Sequence, residues 1–510
     1  MRLAPRIRVL ASAASLALSG CAGGGAAPRA SVAPAPQVEL PATGWDAAKE
    51  ARHALDRLAY GPLPGESEAV AKAGVAAWIR GQMSPAALDD AKVEARLKEL
   101  PTLAMTVSEL FREFPRPQDV AKANGIEKDG PEAREKLREL IPPEKRPAVI
   151  EQQLAAAKLV RAVESRRQLQ EVLVDFWFNH FNVFDGKGED RWTVGAYERD
   201  AIRPRVFGRF RDLLEATASH PAMLFYLDNW TSTKDGFNGR GLNENYAREL
   251  MELHTLGVDG GYTQQDVREV ARCFTGWSIV PARAAANAPA RQGAARDLPP
   301  GSFVFRPRAH DDGEKHVLGA VIPAGGGRED GERVLDLLAA HPSTARFVAE
   351  KLCRRFVSDD PPAALVARVA AVFRATDGDL GSVYAAIFSS KEFWSDAALG
   401  AKTKTPLELA ASAVRALGGS VDPARAQPLA RQVALMGQPL YKCQPPTGYA
   451  DTAEAWVSAG MLVNRIAFGA ALAAGKIPGV TADPSVLAPG ASDPVRLAAL
   501  ALGEPAFQKR

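Results

Sequence analysis

The chain has 510 residues, with 63 Lys and Arg against 60 Asp and Glu, 46% hydrophobic residues and four Cys. That length supports a large core. The three surplus positive charges are Arg2, Arg6 and Arg8, so the chain beyond residue 20 is balanced and offers no electrostatic footprint for nucleic acid or an anionic lipid surface.

Residues 1–20 read as a lipoprotein signal peptide. The three Arg form a positive start and Val9 to Leu18 a short apolar run. Leu18-Ser19-Gly20-Cys21 then resembles the bacterial lipobox, which makes Cys21 the lipidated first residue of the mature protein. The Arg residues are not adjacent, so a twin-arginine route is not indicated. Ala22, rather than Asp, follows the Cys, which resembles the outer-membrane default where two membranes are present. No later run reaches the roughly 18 apolar residues of a membrane span. The membrane is therefore a partner through the lipid on Cys21, and other envelope proteins are the remaining partner class. Residues 21–44, rich in Ala, Gly and Pro, read as a flexible tether.

Residues 45–477 read as a mainly α, multi-helix globular body with one small β-hairpin insertion. Helical spacing appears at 45–59, 67–83, 86–98, 102–114 and 131–140, and in a longest run from about Pro143 to Phe184. The end of that run sets Phe176, Trp177, Phe178, Phe181 and Phe184 around Asn179 and His180. A helix apolar all round is a central one. Glu171, Asp175 and Asn179 repeat at i+4 beside His180. They read either as polar groups satisfied within a core, or as a buried site built on His180 and Asp175. Ser219-His220-Pro221 and His341-Pro342-Ser343 each follow an Asp-Leu-Leu and open a helix, a faint internal echo.

Asn243 to Gly257, NENYARELMELHTLG, reads as one helix capped by Asn243 and stopped by Gly257. Tyr246, Leu250 and Leu253 line one side. Asn245, Arg248, Glu249 and Glu252 make a polar stripe opposite. Thr263 to Trp277 is a second helix, with a capping box of Thr263 and Asp266 and an apolar face of Val267, Val270, Ala271 and Phe274. The short turn between them predicts an antiparallel pair, which brings Asp266, Arg268, Glu269 and Arg272 toward the first stripe. The charges are then either two solvated faces or one buried network.

At these residues the chain resembles a bacterial domain-of-unknown-function family, number 1800, whose signature reads PNENFARELMELFTLG followed by YTExDVxExARxLTGW. Further blocks are similar to it: RHALDRLAYGP (52–62), FWFNHF (176–181), FRDLLEATASHPAMLFYLDN (210–229), HDDGEKHVLG (310–319), HPSTARFVAEKLCRRFVSDDPP (341–362) and KTPLELAASAVRALG (404–418). The resemblance covers about residues 50–470 and implies no established activity. The family often carries His where this chain has Phe178, which weakens a two-histidine metal site. Its loop PPNVKGW stands here as Pro445-Pro446-Thr447-Gly448-Tyr449.

Pro281 to Ser302 reads as a mobile surface insertion that admits a division into two subdomains. Phe303-Val-Phe and His316-Val-Leu flank Asp311-Asp312-Gly313 and read as the β-hairpin. The Asp-Asp-Gly is turn chemistry by itself. Alternatively, His310, Asp311 and Lys315, which fall on the family's HDxGxK pattern, belong to a site. Helical spacing resumes over 334–394 and 404–437, and a last helix starts near Ala453 with Trp456 on it. Residues 478–510 read as a partly ordered tail. Cys273, Cys353 and Cys443 match no metal spacing and read as one disulfide plus a thiol, or as buried thiols.

Two functions compete. The chain lacks a G-x-S-x-G elbow, a P-loop and an H-E-x-x-H helix. An envelope scaffold or assembly factor uses Asn245, Arg248, Glu249, Glu252, Asp266, Arg268, Glu269 and Arg272 as a structural network. The matched Arg residues favour this reading. An envelope enzyme instead gathers His180, Glu249, Glu252, Asp266, Glu269, His310, Asp311 and Lys315 for acid–base or metal chemistry. No cofactor is predicted, and a divalent metal is the runner-up.

Overall fold

Asp46 accepts from Lys49 N and starts the first helix, Ala47–Leu58. The computed structural model describes residues 37–126, 130–281 and 298–510. The expected signal peptide, Cys21, most of the expected tether and most of the 281–302 insertion lie outside them. The end of the expected tether belongs to the body. Val38 is fully buried, its carbonyl accepts from Arg80 Nη1 at 2.9 Å, and Glu39 N donates to Ser389 Oγ at 3.2 Å.

The described chain is mainly α, with three small two-stranded antiparallel sheets, and residues 35–510 form one unit. No described helix is long and apolar enough to cross a membrane. Cys273, Cys353 and Cys443 are free and buried, so the disulfide alternative does not occur.

The run read as one helix from Pro143 is two, Ala148–Glu164 and Gln168–His180. Neither Gly nor Pro marks the break. Asp90 Oδ2 accepts from Ser165 Oγ at 2.7 Å and its Oδ1 from Arg166 N at 2.8 Å. Gln82 accepts from Leu169 N at 3.1 Å and donates to Arg166 O at 2.9 Å. Distant side chains thus satisfy backbone groups exposed where one helix ends and the next begins. The second helix is central, as its composition predicts: Leu169, Val172, Leu173, Trp177 and Phe181 are all buried. Trp177 Nε1 donates to the Tyr384 hydroxyl at 2.7 Å, and that hydroxyl donates to Val206 O at 2.8 Å. Truncating such a Trp to Ala typically costs about 3–5 kcal/mol.

The His-Pro echo has a shared geometry. His220 Nδ1 accepts from Ala222 N and His341 Nδ1 from Ser343 N, both at 3.1 Å. An imidazole there does the capping work of Asp or Ser. The Asn243–Gly257 stretch starts as an α-helix, Asn245–Glu249, with Asn243 Oδ1 accepting from Asn245 N at 3.0 Å. It then widens into a π-helix, Leu250–Thr255, where Leu256 N reaches back to Met251 O at 2.8 Å. Helix Gln264–Cys273 carries the expected capping box of Thr263 and Asp266.

The hairpin expected at 303–319 is replaced by two separate pairings. Strand β1 (Trp277–Ile279) pairs with β2 (Phe303–Phe305), and β3 (Lys315–Val317) with β4 (Ala320–Ile322). The apolar runs are strands as expected, but each finds its partner on the side away from Asp-Asp-Gly. A third sheet joins β5 (Ser420–Val421) to β6 (Val480–Thr481). The expected partly ordered tail is structured. Helix Pro494–Gly503 packs on Ala459–Ala473, where the Cα of Gly469 faces Leu502, and Arg510 exchanges backbone hydrogen bonds with Lys402.

Candidate functional site

The charged stripes of the two marked helices do not pair with one another as expected; the helices meet instead through Gln264, which lies 2.9 Å from Arg248 and 2.7 Å from Glu244. Glu249 and Glu252 are half-buried and form no ion pair within 4 Å among the described residues. Burial first, and Glu252 second, raise the Glu249 carboxyl. Arg248 lies against Gln264 at 2.9 Å and Glu244 at 3.5 Å, Asn245 donates to Leu227 O at 3.2 Å, and Arg268 is exposed. The stripe on helix Gln264–Cys273 faces the β3–β4 hairpin instead. Asp266 Oδ1 accepts from Leu318 N at 2.7 Å, and Glu269 Oε2 accepts from His316 N at 3.2 Å and Arg272 Nη1 at 2.6 Å. Arg272 Nε donates to Asp311 at 2.8 Å. Asp266, Glu269 and Arg272 are thus bolts for a hairpin.

His310 and Lys315 are brought together, around a carboxylate the sequence did not point to. His310 Nε2 lies 3.1 Å and Lys315 Nζ 2.6 Å from the same Asp330 oxygen, and all three side chains are fully enclosed. His310 Nδ1 is 2.8 Å from Thr275 O. The grouping resembles a catalytic relay but has no opening through which substrate reaches it. It ties β3 to helix Glu329–Ala340 and, through Thr275, to the turn that follows helix Gln264–Cys273.

The third place is a cleft of about 220 Å³. Asp175, Phe176, Asn179 and His180 come to it from the central helix, Lys351, Arg354 and Arg355 from helix Pro342–Phe356, and Tyr449 and Asp451 from the loop after Pro446. The i+4 series of the central helix divides its work. Glu171 holds Arg203 through two bonds of 2.6 and 2.9 Å, Asp175 pairs with Lys158 at 2.9 Å, and Asn179 clamps the loop. Asn179 Oδ1 accepts from Tyr449 N at 2.7 Å while its amide donates to Tyr449 O at 2.8 Å. Asn182 adds bonds of 2.9 Å to the carbonyls of Cys443 and Pro445.

His180 links the cleft to the π-helix: its Nε2 donates to His254 O at 3.1 Å. Its Nδ1, a bare acceptor, is buried with no hydrogen-bond partner. Burial, then the Lys351 charge, then His254 hold the His180 imidazole well below its ordinary range. Lys351 is half-buried and makes no ion pair within 4 Å among the described residues. Its amine stands 5.4 Å over the Phe347 ring. Burial lowers that amine to about 8, with Asp451 opposing and Arg354 assisting. Among the described residues no group of three or more His, Cys, Asp and Glu is placed to hold a metal ion, so the donor set for the metal runner-up does not assemble there.

A family model spans nearly the whole chain, the cleft residues included. DUF1800, a protein of unknown function, matches residues 53–509. The chain belongs to that family. No curated protein and no solved structure matches it.

Within this DUF1800 chain, sequence reasoning found His180, Asp175 and Asn179, and missed Lys351, Arg355, Asp451 and Asp330. Lys351, Arg354 and Arg355 sit in the last turns of a helix, where cations are ordinary complements of the dipole. Their spacing alone gives no reason to look there. Asp330 stands in a first turn, where an acid is equally ordinary.

Proposed function

We propose that this is an exported protein held at the cell envelope by lipid on Cys21, and that its helical body is a binding scaffold with the 220 Å³ cleft as its ligand site. Its partners are then the membrane, envelope proteins and a small molecule, and not nucleic acid. One observation carries the cleft reading: two side chains that line it lack a polar partner among the described residues, His180 at its Nδ1 and Lys351 at its amine. In the competing cluster the side chains of His310, Lys315 and Asp330 have no solvent exposure. Convergent polar groups in a concave site are the ordinary mark of small-molecule binding.

Two measurements test this. Cys21→Ser should leave the membrane fraction or remain unprocessed; unchanged membrane fractionation rejects the anchor. Thr447, exposed at the rim, offers a plug. Small polar molecules that raise the melting temperature of the full-length chain should fail to do so in Thr447→Trp. A panel that shifts neither chain, or shifts both equally, rejects the cleft.

A further inference from the structure

The cleft has an electrostatic remainder. Five charged side chains line it: Asp175, Lys351, Arg354, Arg355 and Asp451. Asp175 is paired with Lys158 at 2.9 Å and Arg354 with Glu350 at 2.6 Å. Asp451 lies 3.8 Å from Lys402 and 3.9 Å from Arg355 Nη1. Both acids are thus paired within the protein, whereas the Lys351 amine has no ion pair within 4 Å among the described residues and has Asp451 as a more distant charge.

Arg355 adds to this remainder. It is 4% exposed, and its Nη1 donates to Glu408 at 2.6 Å, yet its Nε and Nη2 are buried with no partner. A buried donor left unmet costs about 1–3 kcal/mol. A guanidinium and an ammonium with spare donors beside one hollow are matched by an oxyanion. His180 asks for something different. Its Nδ1 accepts, so an anionic oxygen cannot satisfy it, whereas a hydroxyl can. The remaining wall mixes Phe176, Ala450 and Trp456 with the hydroxyls of Thr447 and Thr452, which suit ligand hydroxyls as well.

Resting on the cleft reading above, we propose that the ligand is a hydroxylated organic anion, its charge set against Lys351 and Arg355 and a hydroxyl donating to His180 Nδ1. A hydroxycarboxylate and a sugar phosphate share this chemistry.

The test uses the full-length chain and the rate at which an amine-reactive ester acylates Lys351, read by peptide mass spectrometry. The exposed Lys476 is the internal control. The probes are glycolate, glycerol 3-phosphate, acetate and glycerol. Glycolate or glycerol 3-phosphate should slow Lys351 saturably while Lys476 is unchanged, and acetate, lacking the hydroxyl, should protect less than glycolate. Whichever hydroxylated anion protects at lower concentration names the source. Lys351→Met should keep its fold, because the amine has no ion pair to lose among the described residues, and should lose the thermal stabilisation the anion gives the parent. A melting shift retained in Lys351→Met overturns the proposal. Protection by glycerol as good as by either anion overturns the anionic class and leaves the cleft reading standing. If no probe protects, the inference falls, and the Thr447→Trp comparison decides whether the cleft reading falls with it.

Discussion

Lys315 donates to Asp330 Oδ2 at 2.6 Å, and neither side chain has any solvent exposure. His310 reaches the same oxygen, so one carboxylate joins a strand, a loop and a helix. Removing one partner from such a pair leaves the other buried and uncompensated, which typically costs about 3–5 kcal/mol. Asp330→Asn should therefore lower unfolding free energy by about that amount in urea. The cleft should keep its ligand response in the fraction that stays folded. A variant as stable as its parent would show that the cluster is not the clamp its burial implies.

Glu249→Gln should behave in the opposite way. The carboxylate is half-buried and has no ion pair among the described residues, and burial and Glu252 already raise it. Losing its charge should change stability by about 0–1 kcal/mol, within the range of surface ion pairs. A chelator should leave both chains unaffected. A loss of several kcal/mol in chemical denaturation would mean that the helix pair shares a buried network after all.

These two residues show what could be read without the fold. The mainly α class, the central aromatic helix and the Thr263–Asp266 capping box were legible because periodicity and capping are local. The break at 165–167 was not, because Asp90 and Gln82 create it from about eighty residues away. Strand partners were not legible either: Phe303–Phe305 had two candidates in range, and only packing chose Trp277–Ile279. In the cleft, His180 and Asn179 were visible as polar intruders in an apolar helix, whereas Lys351 and Arg355 looked like ordinary helix-end cations.

Acid should destabilise the protein earlier than carboxylate titration alone requires. Burial lowers His53 and His254 to about 3 and His220 to about 4, and His180 also lies well below its usual range. Each is neutral in the fold and takes a proton near pH 6.5 once unfolded. The unfolded chain thus binds more protons below pH 6.5, and stability falls as pH drops from 6.5 toward the folded values. One such His contributes up to about 1.4 kcal/mol per pH unit in that window. His220→Asn preserves an N-cap and removes one titration, so its unfolding free energy should fall less steeply between pH 6.5 and 4. Parallel slopes for the two chains would contradict this.

The cleft wall depends on one glycine. Gly448 has φ +72°, and a Cβ there would stand 2.3 Å from Asn179 O and 2.7 Å from Asn179 Oδ1. The second of these atoms is the acceptor for Tyr449 N. Gly448→Ala therefore combines a left-handed backbone with a clash that only a shift of the loop or of the central helix end relieves. Most of that helix is buried, so the loop should yield. The strain should cost about 1–3 kcal/mol. The informative readout is local: hydrogen exchange at the Tyr449 amide should accelerate, and Lys351 acylation should change with it, while amides of the enclosed Lys315 strand stay protected. Exchange at Tyr449 as slow as in the parent would mean that the Asn179 clamp does not hold the loop, and the cleft wall would need another support.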